Sequence, residues 1–310
     1  MKPEASRWVK HGLVYAPDGR MPWARHSALQ PTPLLRDDET IRVFVAFRDD
    51  GGVGRVAYVD LSADDPPKVI RVSERPVLDV GRPGAFDENG VVPCAIIARG
   101  NELLLYYAGY SLGQKVRFLA FSGLAISRDG GETFQRLQET PIFERSDEGL
   151  LFRAIHCVRV EGAVWHVWYG AGSEFYQQGA RTVPSYSIRY LEAADGKHFP
   201  ATGVECIRPE GAEYRVGRPQ VFKENGSFKM YFCASTREQP YRLAAAHSPD
   251  GKSWTRTPSE IELHYAAGDF DSEMSAYPAV VRRDGRLYLF YNGNDYGRQG
   301  FGLAERPALD

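Results

Sequence analysis

The chain has 310 residues, of which 43% are hydrophobic and 25% are charged, and its formal net charge at pH 7 is −2. This composition is typical of a folded globular protein, and the balanced charge gives no support for binding to nucleic acid or to an anionic membrane. The sequence has no signal-peptide or membrane-spanning run and no CxxC pair among its four cysteines, so we expect a cytoplasmic protein with free thiols.

A repeated spacing of a proline, a turn residue and an aromatic residue runs along the chain. In the second copy, Pro93 precedes Gly100 by seven residues and Tyr106 by thirteen. The anchors of the five copies, in chain order, are Pro31, Pro93, His156, Pro219 and Pro278, and the copy at His156 is one residue shorter. Each copy predicts a strand, a polar turn and an aromatic second strand.

A second repeat follows the first in the middle of the chain. The segments GLAISRDGGETF, SIRYLEAADGKHF and RLAAAHSPDGKSW each lead from a strand into an Asp-Gly or Pro-Asp-Gly turn and then to an aromatic residue. Asp-Gly favours tight hairpins, so we interpret Asp129, Asp195 and Asp250 as turn formers. The two repeats together predict a unit of four antiparallel strands.

Five such units predict an all-β fold, a five-bladed β-propeller with four-stranded blades around a central channel. We expect residues 1–310 to form this single domain, with blade cores that begin near residues 31, 93, 156, 219 and 278. The last unit lacks an outer strand, and we expect the N-terminal segment around Trp8 to Tyr15 to supply it. The aromatic residues Tyr106, Tyr107, Trp165 and Trp168 are assigned to the core.

Candidate binding residues follow from the alternation of side chains along the first strand of each unit, which lines the channel in a propeller. Carboxylates and amides suit sugar hydroxyls, tyrosines provide stacking faces, and arginines suit a phosphate or carboxylate group. The predicted substrate-binding residues are His26, Arg48, Asp49, Arg153, His156, Arg218, Tyr277, Asn292, Asn294 and Tyr296.

Motifs for nucleotides and metals are absent from the sequence. It has no P-loop, no dinucleotide-type GxGxxG after a strand, no HExxH and no GxSxG. No two histidines stand at ligand spacing. We therefore expect neither a metal nor a cofactor.

The stretches VFVAFRDDGGVGRVAYVDL, GAFDENGVVPCAII and DFDSEMSAYPAVV resemble the five-bladed glycoside hydrolase superfamily, which includes families 43, 32, 68, 117 and 130. More closely, they resemble bacterial glycosidase-like proteins found with glycan-assembly genes. The resemblance spans about Gln30 to Glu305 and implies the propeller fold. His26 stands where family 43 enzymes have a catalytic Asp, and the family 32 motifs are absent, so no known catalytic set transfers residue by residue.

Our leading functional hypothesis is a glycosidase-like enzyme that acts on a small or activated sugar by inverting acid/base catalysis. The candidate catalytic carboxylates are Glu273 or Asp271 on one side of the channel and Glu88 or Asp87 on the other. One alternative is a phosphorylase or a sugar-phosphate or nucleotide-sugar enzyme that uses the arginine cluster. The other is a non-catalytic carbohydrate-binding protein. In each case the expected partner is a sugar or sugar-phosphate ligand, and the sequence does not indicate an oligomeric state.

Overall fold

The fold of the chain is built almost entirely from β-strands. The computed structural model describes residues 7–37, 39–178 and 181–309, and strands account for 57% of it and helix for 2%. The helical segments are a short 3-10 turn at Pro258–Ile261 and a turn at Asn294–Gly297. The predicted all-β class is confirmed. None of the helical segments described has the length and apolar character needed to cross a membrane.

Twenty strands form the sheets of the described chain. In chain order they are β1 (Val9–Tyr15), β2 (His26–Leu35), β3 (Thr40–Arg48), β4 (Gly54–Ser62), β5 (Val69–Val72), β6 (Val91–Arg99), β7 (Glu102–Leu112), β8 (Phe118–Ser127), β9 (Gln135–Arg136), β10 (Phe152–Glu161), β11 (Val164–Gln178), β12 (Arg181–Ala193), β13 (Val204–Ile207), β14 (Glu213–Glu224), β15 (Ser227–Thr236), β16 (Arg242–Ser248), β17 (Thr255–Arg256), β18 (Ala276–Arg283), β19 (Arg286–Asn292) and β20 (Phe301–Pro307).

Consecutive strands pair in antiparallel order. Strands β2 to β5 form one four-stranded sheet and β14 to β17 form another. Strands β6 to β9 and β10 to β13 pair in the same way, and a short parallel contact between β8 and β10 joins them into one larger sheet. In the remaining sheet, β1 pairs with β20 beside β19 and β18, so the N-terminal strand is the outer strand next to the C-terminal one.

The chain thus contains five runs of consecutive antiparallel strands, which begin with β2, β6, β10, β14 and β18. The first strands of these five runs contact one another in a ring. Strand β2 contacts β6, β6 contacts β10, β10 contacts β14, β14 contacts β18, and β18 contacts β2. The turn glycines of the repeat lie between the first and second strands, where Gly100 has φ +60° and Gly226 has φ +70°. Glycine adopts this left-handed conformation without steric penalty. The glycine of the repeat therefore specifies the turn that joins the first strand to the second strand.

Hydrophobic clusters fill the space between neighbouring runs of strands. Successive side chains of a second strand point to opposite faces, so Tyr106 packs towards Tyr169 on one side while Tyr107 packs towards Phe44 on the other. Trp168 packs against Phe232 in the next interface. All these side chains are fully buried, and full burial of a large apolar side chain contributes about 1.5–3 kcal/mol. The predicted core role of these aromatic residues is confirmed.

The aspartates of the second repeat form the turns predicted for them. Asp129 accepts backbone hydrogen bonds from Glu132 and Thr133, both at 3.0 Å. Asp195 and Asp250 accept equivalent bonds from the residues two and three positions further on. Desolvation opposes ionisation of Asp129, but hydrogen bonds from the hydroxyls of Thr133 and Ser127 and from the backbone lower its pKa to about 2. These carboxylates therefore stabilise the turns by accepting hydrogen bonds from the backbone.

The four cysteines form no disulfide. Cys94, Cys157 and Cys233 are buried and Cys206 is half-buried, and all four are free thiols. Burial raises the pKa of Cys94 and Cys233 to about 11, so these thiols are protonated and chemically inert near neutral pH.

Candidate functional site

The first strand of every run is interrupted at a corresponding position. The pairing register shifts between Leu29 and Thr32, Pro93 and Ala95, Ile155 and Cys157, Gly217 and Gln220, and Ala276 and Ala279. Such bulges bend a strand and re-aim a side chain, and they are common beside active sites. The repeat anchors Pro31, Pro93, His156, Pro219 and Pro278 lie at these interruptions, so the sequence repeat marks them.

Three bulge residues adopt a backbone conformation that is unfavourable for a side chain. Gln30, Arg218 and Tyr277 have φ values of +53°, +55° and +58°, and each directly precedes the anchor proline of its repeat. Left-handed conformations of non-glycine residues cost on the order of 1–3 kcal/mol and cluster at functional sites. This left-handed backbone conformation directs the three side chains towards the centre of the ring.

A cavity of about 870 Å³ lies at the centre of the ring, on the side where the first strands begin. Its cationic side chains are Arg48, Arg117, Arg215, Arg218 and Arg298, its histidines are His26 and His156, and its carboxylates are Asp50 and Asp295. Its aromatic side chains are Tyr110, Phe118, Phe152, Tyr186, Tyr277 and Tyr296. The formal charge of this lining is positive. The volume of the cavity is in the range of small-molecule binding sites.

Arg218 is buried in the lining of the cavity, where it joins three of the first strands. From β14, its Nη1 donates to the backbone carbonyl of His156 on β10 at 3.0 Å, and its Nη2 donates to Oγ1 of Thr32 on β2 at 3.0 Å. Its Nε has no acceptor among the described residues. Burial lowers the pKa of Arg218, but a guanidinium remains charged in proteins.

Arg215 is the second buried arginine of the cavity. Its Nη2 donates to the hydroxyl of Tyr296 at 2.9 Å, and its guanidinium lies over the ring of Tyr241 at 4.1 Å and the ring of Tyr214 at 4.9 Å. Its Nε also lacks an acceptor among the described residues. Stacking on tyrosines stabilises the cation and holds the side chain in place.

The two histidines of the cavity are held in the neutral form. Burial, and then the positive charge of Arg218, hold the pKa of His156 well below 6.5. Burial, followed by Arg298 and Arg48, lowers the pKa of His26, whose Nδ1 lies 2.8 Å from the hydroxyl of Ser27. At neutral pH each imidazole therefore offers both a hydrogen-bond donor and an acceptor.

Six of the ten predicted substrate-binding residues lie in the lining of this cavity. They are His26, Arg48, His156, Arg218, Tyr277 and Tyr296. They come from strands or turns that are far apart in the sequence, and the ring of first strands brings them together. Their roles in binding stay predictions, but their shared location fits the site expected at the channel.

The other four predicted binding residues lie outside the lining, and this placement corrects the expectation. Arg153 is buried in an ion pair with Glu148 at 3.0 Å. Asp49 pairs with Arg55 at 2.8 Å and accepts a hydrogen bond from the backbone of Val53, and so shapes the β3–β4 turn. Their polar groups are therefore used within the protein.

Asn292 and Asn294 tie neighbouring segments to one another. Asn292 is fully buried, donates to the carbonyls of Ala28 and Gly300 at 2.8 Å each and accepts from the backbone N–H of Gln30 at 2.8 Å. Asn294 accepts from the backbone of Glu273 at 2.8 Å. These amides position the strands and loops around the cavity without lining it.

None of the four predicted catalytic carboxylates lines the cavity. Asp87 is fully buried and accepts hydrogen bonds from Tyr107 at 3.1 Å and from Arg136 at 2.8 Å. Asp271, also fully buried, accepts from Tyr291 at 2.8 Å and pairs with Lys10 at 2.8 Å. Each carboxylate is thus bound to a second-strand tyrosine and a cation.

The same arrangement occurs a third time. Glu148 accepts hydrogen bonds from Tyr169 and Arg153, and it pairs with Arg189 at 2.8 Å. A carboxylate joined to a tyrosine and a cation therefore recurs in three of the runs of strands. This repetition gives Asp87 and Asp271 a structural role, and it does not support the catalytic one.

Glu88 and Glu273 lie in the loops that precede first strands. Glu88 is half-buried, and its Oε2 accepts from the backbone N–H of Gly84 at 2.6 Å. Glu273 is exposed, and its backbone is held by Asn294. Neither side chain faces the cavity, because alternation along the strand does not extend into these loops.

The sequence-based prediction missed several residues of the lining, among them Arg117, Tyr186, Arg215 and Arg298. Arg215 stands four residues before its anchor proline, a position that simple alternation turns away from the channel. The left-handed Arg218 reverses that alternation. The sequence feature that could have predicted Arg215 as a lining residue is a charged side chain close to the strand interruption.

The described side chains offer no metal centre of the usual kind. No three His, Cys, Asp or Glu side chains among them come close enough together to hold an ion. The lining is instead rich in hydrogen-bond donors, which suit hydroxyl and anionic oxygen atoms.

Several solved structures that share this β-propeller fold are glycoside hydrolases. The BT0996 complex with RGII has a TM-score of 0.72 and 20% sequence identity, and the match covers 96% of this protein and 90% of that one. The GH43_1 enzyme from Xanthomonas citri complexed with xylose has a TM-score of 0.62 and 12% identity, with coverage of 96% and 89%. The predicted resemblance is confirmed at the level of the fold, which is the β-propeller of glycoside hydrolases.

No protein-family model matches the sequence. It is 30% identical over 298 residues to Uncharacterized protein Rv1502 of Mycobacterium tuberculosis (strain ATCC 25618 / H37Rv). The alignment covers 96% of this protein and 98% of the relative. The chain therefore belongs to the family of Rv1502.

Proposed function

We propose that residues 1–310 form one five-bladed β-propeller domain. The support comes from the ring of contacts among β2, β6, β10, β14 and β18 and from the antiparallel runs that extend outwards from each of them. In this arrangement β1 completes the blade of β18 to β20. The central cavity is then the mouth of the propeller channel, where propellers commonly bind ligands.

We propose that this propeller is a glycosidase-like protein that binds a sugar ligand in the arginine-lined cavity. The observation that carries this proposal is the interruption of all five first strands at one level, which turns Gln30, Arg218 and Tyr277 towards a cavity of about 870 Å³. Strained backbone conformations cluster at functional sites, so their presence at three of these interruptions supports a ligand site there. The two neighbours of the same fold, in complex with RGII and with xylose, support a sugar as the ligand.

The first experiment measures sugar binding by isothermal titration calorimetry with neutral, acidic and phosphorylated monosaccharides. Val53 is half-buried in the lining, so Val53→Trp fills the cavity from its rim. We expect this variant to lose binding by at least tenfold. The matched control is Val204→Trp on the exposed outer strand β13, where Val204 is 59% exposed, and it should bind as the wild type does. Equal binding by the two variants would place the ligand elsewhere and contradict the proposal.

Hydrolysis is a second candidate function, supported by the two carboxylates of the lining. Asp50 and Asp295 both act electrostatically on His26, so they lie on the same side of the cavity. Asp295 has φ +49°, a strained conformation, and inverting glycosidases use a pair of carboxylates as acid and base. We propose Asp295 as one member of that pair.

The test of hydrolysis uses aryl glycosides of whichever sugar binds. Asparagine tolerates the left-handed conformation, so Asp295→Asn preserves the turn. We expect turnover to fall by about 10²–10⁴-fold while ligand affinity is retained. Absence of turnover by the wild type, or equal turnover by the variant, contradicts the candidate and leaves binding as the function.

A further inference from the structure

The two buried arginines of the cavity lack the partner that the other buried arginines have. Among the described residues, Arg42, Arg153, Arg215, Arg218 and Arg306 are the buried arginines. Arg42 pairs with both carboxylate oxygens of Asp60 at 2.7 and 2.8 Å. Arg306 pairs in the same way with Glu224 at 2.9 and 2.7 Å, and Arg153 pairs with Glu148. Arg215 and Arg218 form no ion pair with a carboxylate of the described residues.

The remaining arginines of the lining are also without an anionic partner. Arg48, Arg117 and Arg298 make no ion pair with any carboxylate that the structure describes, and Arg48 Nε has no acceptor there. Asp50, one of the two carboxylates of the lining, pairs instead with Arg25 at 3.4 Å and is 81% exposed. The lining therefore has an excess of positive charge, which comes from the two buried arginines and from these three arginines nearer the rim.

Unpaired buried charge is unfavourable because water no longer solvates it. Arg215 and Arg218 both line this cavity, and their Nε groups have no acceptors among the described residues. A guanidinium presents a planar set of donors that matches a carboxylate or phosphate group. An anionic group in the cavity would neutralise both cations and satisfy these donors.

The cavity also provides a surface for the uncharged part of a ligand. Phe152 and Tyr186 stack at 4.8 Å with an angle of 18° between their rings, and both line the cavity. Tyr277 lies on the same lining. Aromatic faces of this kind suit the C–H face of a sugar ring, and the neutral histidines offer hydrogen-bonding groups that suit its hydroxyls.

We propose that the sugar bound in the cavity is anionic and that Arg215 and Arg218 bind its carboxylate or phosphate group. This inference rests on the proposed sugar-binding function and specifies its ligand class. A uronic acid and a sugar phosphate share this chemistry, and separate arms of the experiment distinguish them.

The experiment measures the affinities of glucose, glucuronate, glucose 6-phosphate and inorganic phosphate by calorimetry. We expect at least one of the two anionic sugars to bind at least tenfold more tightly than glucose, and this preference to weaken as salt is added. Preference for glucuronate identifies a carboxylate ligand, and preference for glucose 6-phosphate identifies a phosphate ligand.

The same measurements on Arg215→Gln test the assigned residue. We expect the variant to lose the preference for the anionic sugar, with its affinity reduced at least tenfold. Arg283→Gln, an arginine outside the cavity that pairs with Asp64, serves as the matched control and should keep the preference. Because Arg218→Gln can disturb folding, the rim variant Arg48→Gln is measured as well, and we expect a smaller loss in the same direction.

The outcomes separate this inference from the proposed function. Equal affinity for glucose and both anionic sugars overturns the inference and leaves sugar binding intact. Binding of inorganic phosphate that depends on Arg215, without binding of any sugar, overturns the proposed function and retains the anion site. If no probe binds at millimolar concentration, both are contradicted.

Discussion

Arg218 on β14 donates a hydrogen bond from Nη2 to Oγ1 of Thr32 on β2, 3.0 Å away, although 186 residues separate them. The same guanidinium donates from Nη1 to the carbonyl of His156 on β10. One side chain thus ties three first strands together at the centre of the ring. It also lines the cavity and is buried there, so we expect Arg218 to contribute both to stability and to ligand binding.

Arg218→Gln should lower the free energy of unfolding by about 2–4 kcal/mol, because the shorter amide leaves buried acceptors on β2 and β10 unpaired. Urea unfolding followed by tryptophan fluorescence gives this value. The matched control is Arg298→Gln at the exposed rim, which we expect to change stability by less than about 0.5 kcal/mol. Equal stability of the two variants would mean that Arg218 does not join the strands.

Asp271→Asn and Asp87→Asn should each lower the free energy of unfolding by about 1–3 kcal/mol, since each breaks a buried ion pair. Glu273→Gln, on an exposed side chain nearby, should change stability by less than about 0.5 kcal/mol. Ligand affinity should be unchanged in all three variants. If Glu273→Gln instead abolished turnover with stability intact, the catalytic role predicted from sequence would be restored.

Stability should decrease as the pH falls from about 7 to about 5. Burial and Arg218 lower the pKa of His156 in the folded state, so the unfolded state binds more protons below pH 6.5. Each excess proton contributes a slope of about 1.4 kcal/mol per pH unit. In His156→Gln this slope should be reduced when thermal unfolding is measured across this range. The exposed His198→Gln should keep the slope of the wild type, and an equal slope in both variants would exclude His156 as its source.

Asp129→Ala should destabilise the protein by about 1–2 kcal/mol at pH 7, because two backbone N–H groups and two hydroxyls lose their acceptor. The pKa of Asp129 is about 2 in the folded state. Its contribution is therefore complete above pH 4 and disappears as the pH falls towards 2. Chemical unfolding of variant and wild type at pH 7 and pH 3 gives the comparison. A constant difference at the two pH values would assign the effect to something other than the carboxylate.

The fold was predictable from sequence because its repeat is local. The spacing from Pro93 to Gly100 and Tyr106 specifies a strand, a turn and a second strand within thirteen residues, and the structure contains them as β6 and β7. The alternation of Tyr106 and Tyr107 between two cores likewise follows from strand geometry alone.

The site was only partly predictable because its geometry depends on distant residues. The sequence around Asp271 suggests a free carboxylate just before a first strand. In the structure it pairs with Lys10, which is 261 residues away in the sequence. Arg215 was missed because the left-handed Arg218 reverses the alternation of β14, and no local pattern specifies that conformation. His156, which is a repeat anchor, and Arg218, which directly precedes one, were found because the repeat itself marks the strand interruptions.

The central claim is that the cavity binds an anionic sugar through its unpaired arginines. A crystal structure of the protein soaked with glucuronate or glucose 6-phosphate tests it most directly. Our account predicts the anionic group about 3 Å from the guanidinium groups of Arg215 and Arg218, with the sugar ring near Tyr277. A ligand bound outside this cavity, or one whose anionic group points to solvent away from both arginines, would contradict it.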